Sequence, residues 1–400
     1  MAMKERRFIL TGILIIFLFP THVSGASKPT LPYRGDPVWR LDLRPSGYMQ
    51  TTERRPRFVP DTRISFLGED LLLASFWTAK TLGGCDWKKK AAPDRCRLHA
   101  VTIDINTGRV RSSHEWLFPF RDAIIYPARQ GNFILSTENG LHLCSADFQE
   151  LGKVTLPARA EIHVSPSGGT LLAEWVTPAG KSRQKETYQE MKALFETDNL
   201  KELRRWESDY SLVESITDNV VTVRSRTVVT VRNRTISLPS DKPRILLRRF
   251  DEHEWRELIY ELKGSYLTRV KLLNDNFLIV KERNLLAMLD VQGGKVFDDT
   301  GFQENEYLVG DPVMSANGLR FAIALTTDRS LAVLTQVIVY DATQRSRIFT
   351  LAFGNIGLRP NLQVLDAFDI SRDGSVLGDT ADGFVELYRL PPSNSPRSTP

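Results

Sequence analysis

Short apolar runs recur along the chain in pairs, each pair joined by a turn built from Gly, Asn, Asp or Ser. Seven such pairs can be read: ISFLGEDLLLASF from Ile64, IIYPARQGNFILST from Ile124, IHVSPSGGTLLAEW from Ile162, VESITDNVVTV from Val213, VKLLNDNFLIVK from Val270, PVMSANGLRFAIAL from Pro312 and AFDISRDGSVLGDT from Ala367. Gly, Asn and Asp tolerate the positive φ of tight turns, so each pair predicts a β-hairpin. A second marker follows most hairpins: an alternating strand that ends in Asp, a turn, and one more short strand. Its aspartates are Asp104, Asp147, Asp198, Asp251, Asp290 and Asp341. Their spacing matches the repeat of about 40 to 50 residues that a four-stranded propeller blade requires.

Six repeats are complete. The seventh ends with GFVELYRLPP from Gly383 and lacks its last strand, whereas an orphan strand, PVWRLDLRP, stands at Pro37. Deficit and orphan match. The predicted fold is therefore all-β, a seven-bladed β-propeller of four-stranded antiparallel blades over residues 37–392, its last blade closed by the N-terminal strand so that no sheet edge is left unpaired. The Pro/Ser-rich segment 393–400 reads as a disordered tail. One stretch departs from the pattern. Residues 178–190, rich in charge, read as a long loop inside the third blade, with SRQKETYQEM either forming a helical turn or staying open.

The phrases VSPSGGTLLAEW, ISRDGSVLGDTADGFVELYRL and VTIDINTGRV resemble the turn sequences of the WD40-like and YVTN-like β-propeller superfamily of exported bacterial proteins. The resemblance covers about residues 37–392 and implies the fold; propellers host receptors, scaffolds and enzymes alike, so it does not imply one activity. The Gly-His and Trp-Asp signatures of WD40 repeats are absent, as is the tryptophan-rich docking pattern of quinone-dependent propeller enzymes.

Upstream of the repeats, Lys4, Arg6 and Arg7 precede an apolar stretch, Phe8–Phe19, ended by Pro20 and followed by Ser24-Gly25-Ala26. This is the layout of a secretory signal, residues 1–26, cleaved after Ala26. The apolar stretch is short of the roughly 20 residues that span a bilayer. A retained anchor is the competing reading. The expected location is extracytoplasmic, secreted or periplasmic. Removing the signal lowers the net charge of +5 by two, too little for a nucleic-acid partner, which calls for a concentrated basic face; the mature chain is expected to be a monomer.

Three cysteines are present, Cys85, Cys96 and Cys144. In an oxidising compartment the first two, flanking DWKKKAAPDR, are expected to form a disulfide. Cys144 lies in the alternating run LHLCSAD and reads as a small core residue. No cysteine–histidine spacing suggests zinc, and no GxSxG, SxxK, HExxH or Walker-type segment appears. No cofactor, metal or catalytic residue is assigned. His99, His142 and His163 read as structural residues of strands. Glu69-Asp70, Asp298-Asp299 and Glu304/Glu306 read as solvated turn carboxylates. Trp77, Trp116, Trp175, Trp206 and Trp255, recurring beside strand ends, read as packing between blades.

The connection between the second and third strands always leaves a propeller blade on the same face. Long versions are predicted at Thr78–Arg97, Pro178–Glu190 and Thr327–Leu334, all on one rim, and insertions gathered on one face of a repeat array mark its binding face. Trp87, Lys88, Lys89 and Lys90 in the first, with Lys181, Arg183 and Lys185 in the second, are the candidate binding residues. The expected function is a non-catalytic binding or scaffold module for a protein or an anionic envelope polymer. The alternative is a hydrolase or lyase acting on a glycan or peptide at the central channel.

Overall fold

The computed structural model describes residues 36–48, 62–78, 96–118, 123–157, 160–182, 185–207, 211–231, 234–239, 245–252, 254–258, 269–282, 284–327, 335–352, 365–381 and 383–392. They form seven antiparallel sheets arranged in a ring, each built on four strands, with one extra strand in the fourth and the N-terminal strand completing the seventh. The inner strands, taken in chain order, are Thr62–Phe66, Ile124–Pro127, Glu161–Val164, Ser211–Ile216, Arg269–Leu272, Tyr307–Met314 and Leu365–Ile370. Among the described residues no helix is long and apolar enough to cross a membrane.

The repeated turn chemistry has a physical cause. Between inner and second strands, one short polar side chain caps the turn. Ser165 Oγ accepts from the N–H of Gly169 and Thr170, Thr217 Oγ1 from Val220, Asn274 Oδ1 from Phe277, Ser315 Oγ from Arg320 and Ser371 Oγ from Val376. The aspartates of the second marker do the same between third and outer strands. Asp104 Oδ1 accepts from Asn106 and Thr107, Asp290 Oδ1 from Gln292 and Gly294, and Asp341 Oδ1 from Thr343 and Gln344. Such local bonds satisfy backbone donors that a turn leaves without ladder partners.

Apolar packing lies between blades, in seven clusters, one for each blade-to-blade interface. Leu73, Trp77 and Leu98 of blade 1 meet Ile125, Phe133 and Leu135 of blade 2. Clusters of the same kind join every later pair. The seventh joins the last blade to the first, where Val385 and Leu387 meet Leu43, Ile64, Phe66 and Leu72. All five repeated tryptophans, Trp77, Trp116, Trp175, Trp206 and Trp255, belong to these inter-blade cores, as the sequence implies.

The ring closes as the orphan strand predicts. Trp39–Asp42 pairs antiparallel with Phe384–Arg389, placing Trp39 opposite Leu387 and Asp42 opposite Phe384. Val38 N–H donates to Leu387 O at 2.7 Å and Leu43 N–H to Gly383 O at 2.8 Å. The Arg40 guanidinium stacks 3.6 Å from the Phe384 ring centroid and bonds Glu386 at 3.0 Å. Trp39 lies against Gly108, which has a φ of 68°; a Cβ there would come within 2.8 Å of the indole, so the glycine of the DINTG turn is required by closure as well as by its backbone.

Two parts of the sequence reading are corrected. The expected long loop at residues 178–190 is instead a continuation of the sheet: Thr170–Ser182 and Lys185–Glu196 pair along their whole length to Ser182 opposite Lys185, with a register shift between Pro178 and Gly180. Its described residues form no helical turn. The fourth blade carries an insertion that the turn markers did not reveal, because Val220–Val231 runs past its blade and folds back on an extra strand, Arg234–Pro239.

Candidate functional site at the central channel

The inner strands obey the twofold alternation of β structure. In TRISF, EIHV and RVKL, the apolar Ile64, Ile162 and Val270 enter the inter-blade cores. The residues between them, Arg63, Glu161, His163, Arg269 and Lys271, line a central cavity of about 670 Å³. Tyr126, Glu214, Asp311, Asp369 and Arg372 line it too. The volume lies within the range of roughly 300–1,000 Å³ typical of small-ligand sites. Each inner strand begins on the rim where second and third strands connect. Arg63, Glu161 and Arg269 therefore stand nearer that rim, with Tyr126, His163, Lys271 and Asp369 one layer deeper, as the pairing registers show.

Most of these charges are matched. Asp311 meets Lys271 Nζ at 3.0 Å and Arg269 Nε at 3.4 Å, and the lysine holds its carboxyl below the usual range despite burial. Glu214 bonds Arg224 at 2.7 Å. Behind the wall, Glu174 and Lys192 stand opposite one another in the ladder and pair at 3.0 Å, almost wholly buried. The far end of the channel is crossed by Arg372 of blade 7, whose guanidinium donates to Ser167 O of blade 3 and, at 3.3 Å, to Ala128 O of blade 2. Beside it Asp218 accepts from Ser165, Ser167 and Arg129 at 2.6 to 2.8 Å.

Three groups are less settled. His163 Nε2 is buried with no hydrogen-bond partner among the described residues. Burial, reinforced by Lys271 and Lys192, pushes the imidazole down to about 3, so it is neutral at physiological pH. Its closest carboxylate oxygen, on Glu161, is 3.9 Å away. Arg63 has no carboxylate partner among the described residues; its guanidinium lies 5.7 Å from the Tyr126 ring centroid. Asp369 opens on the cavity, away from bulk water. Its two oxygens accept from Phe66 and Ile370 N–H at 2.9 Å, yet burial dominates and pushes the carboxyl up to about 7.

Because the folded Asp369 holds its proton to higher pH than the unfolded chain does, its contribution to stability is present below pH 3.8 and is lost as pH rises through about 7. That interval corresponds to roughly 4 kcal/mol at most. Denaturation of wild type and Asp369→Ala from pH 4 to 8 should show the difference between them shrinking as pH rises. A constant difference would mean the carboxyl titrates normally.

The sequence-predicted residues fall elsewhere. Trp87, Lys88, Lys89, Lys90, Arg183 and Cys85 lie outside the described residues, as do the segment 1–26 and the tail 393–400. Lys181 and Lys185 belong to the extended hairpin of blade 3, on a ladder instead of a loop. Cys96 is fully buried; Cys144 is a buried free thiol, raised to about 11 by burial. His142 bonds Glu150 at 2.7 Å, and the His99 ring packs tilted against Phe76 with centroids 5.2 Å apart, as strand residues do. Asp299, read from sequence as a solvated turn residue, instead accepts from Tyr340 at 2.8 Å and from the Arg347 guanidinium. Sequence reading missed the channel lining, although part of the signal was present: in TRISF, EIHV and RVKL a charged or polar residue stands one position before and after the apolar core residue.

Among the described residues no cluster of three His, Cys, Asp or Glu is placed to hold a metal ion. No family model matches the chain, and no curated protein matches it. Solved structures do. The Raptor protein of Chaetomium thermophilum superposes with a TM-score of 0.52 at 12% identity, over 83% of this chain and 28% of Raptor. A chain of a mitotic checkpoint complex superposes with a TM-score of 0.50 at 9% identity, over 92% of this chain and 99% of the other. The C-terminal WD40 domain of Sif2 gives 0.49 at 11% identity, over 83% and 95%. At such identities the likeness is one of architecture, that of a seven-bladed β-propeller.

Proposed function

We propose that this protein is a non-catalytic, extracytoplasmic binding module that captures an acidic protein or anionic polymer on the rim bearing its extended hairpins. One observation carries the reading: the ladder in blade 3 continues seven residues past Trp175 to Ser182, and blade 4 sends a second hairpin from the corresponding connection. At about 3.3 Å per residue, the blade 3 extension reaches roughly 20 Å beyond its inner strand. Charge supports it. Segments 78–97, 177–189 and 226–239 together hold twelve Lys or Arg against three Asp or Glu. The whole chain is only +5, so the remainder is net acidic and the basic excess is gathered in these rim connections. A focused field of this kind raises encounter rates with anions.

The enzyme alternative draws on the titratable groups in the channel, but their pairing argues against it. Asp311 and Glu214 are each matched by cations, and no hydroxyl or thiol bonds His163 Nε2 among the described residues. No nucleophile–base pair results. The proposal includes export by the segment 1–26 and a Cys85–Cys96 bridge stiffening the first-blade connection, which lowers the entropic cost of binding. Thiol labelling of the oxidised, unfolded chain reads the bridge directly, with one free thiol expected.

Co-purification of the full chain from its native host tests the function. Lys88→Glu, Lys89→Glu and Lys90→Glu together, and separately the replacement of residues 178–188 by a two-residue Asn-Gly turn, should each weaken partner retention, the first more steeply at low salt, with thermal stability unchanged. Equal retention by both variants would remove the rim from consideration.

A further inference from the structure

We propose that the central cavity is a binding site for a compact oxyanion, a carboxylate or phosphate, anchored by Arg63. Every other charged group facing the cavity is accounted for. Asp311 is shared by Arg269 and Lys271, Glu214 is held by Arg224, and Asp369 by two backbone N–H groups. Arg372 is spent on two carbonyls across the far end. Glu161 is 63% exposed at the rim end of the wall. Arg63 alone among the described cavity cations has five donors and no acceptor, only the face of Tyr126.

A guanidinium withdrawn from bulk water costs free energy unless an acceptor meets it, and its planar fork suits carboxylate and phosphate oxygens in pairs. The surroundings favour an anion. Two cations share the single carboxylate of Asp311 on the opposite wall. Deeper in, neutral His163 offers a ring nitrogen without a partner, able to donate in its Nε2–H tautomer. Burial pulls Arg63 below its ordinary value, the direction a bound anion would reverse. Because Arg372 crosses the other end, the ligand enters from the hairpin rim. This site is independent of the surface that captures the macromolecular partner.

Calorimetric titration of the full chain with citrate and, separately, with inorganic phosphate tests the proposal. Binding of either is expected, and which one binds separates the two chemistries. Arg63→Met should weaken it at least about tenfold, whereas Arg109→Met, an exposed arginine outside the cavity, should leave it unchanged. Undiminished binding by Arg63→Met, or no heat with either anion on wild type, would overturn the site. Should Arg63→Met fail to fold, nitrogen spectra of ¹⁵N-histidine-labelled wild type give the answer: the His163 ring signals, assigned by their loss in His163→Gln, must move on anion addition, and their immobility equally refutes the proposal.

Discussion

Replacing Lys192 by Met is expected to destabilise the protein by about 3–5 kcal/mol, and adding Glu174→Leu to recover most of that loss. The two side chains face each other across the second and third strands of blade 3, 3.0 Å apart, at 3% and 6% exposure. Taking one away strands the other charge in a place where water cannot reach it, which is far more harmful than removing both. Burial already pushes the Glu174 carboxyl above its ordinary value, opposed by the lysine; without Lys192 that opposition vanishes. Urea denaturation of the wild type, both single variants and the double variant closes the cycle. If the double variant is no more stable than Lys192→Met, the pair is not the source of the cost.

Deleting residues 27–48 should lower the unfolding midpoint by about 7 °C, since a loss of about 5 kcal/mol moves a domain of this size by that much. The deletion strips Leu43 from the joint between first and last blades, and truncating one buried leucine to Ala alone costs about 2–5 kcal/mol. It also bares the Phe384–Arg389 edge, whose partner is Trp39–Asp42, and bared edges aggregate. A peptide of residues 36–48 added in trans should raise the midpoint again in proportion to the logarithm of its concentration. Absence of any rescue would indicate that the strand acts through something other than closure.

These two expectations differ in how far sequence alone could have led to them. The closing strand was legible, because a missing strand at Gly383 and a spare one at Pro37 are both visible as pattern, and turn residues such as Ser165, Asn274 and Asp290 announce themselves by type. Pairing of Lys192 with Glu174 was not, since it depends on a register that the charged stretch 178–190 obscured: the alternation of Tyr188, Glu190 and Lys192 looks like a loop until the ladder is seen to continue. The blade 4 hairpin, RTVVTV–RN–RTISLP, did carry alternation and a short polar turn, but fell between two repeat markers. The cavity is different again. Its members come from seven segments spread over 300 residues of chain, and only the ring places Arg63 of blade 1 within 5.7 Å of Tyr126 of blade 2 and on the same cavity as Lys271 of blade 5.

Because the strand at Trp39–Asp42 belongs to the sheet built last, synthesis order and assembly order run opposite ways. This strand must wait, unengaged, until some 340 further residues have followed it. A chain halted after its sixth blade leaves Leu41 and Leu43 without their neighbours Val385 and Leu387, and the circle stays a horseshoe.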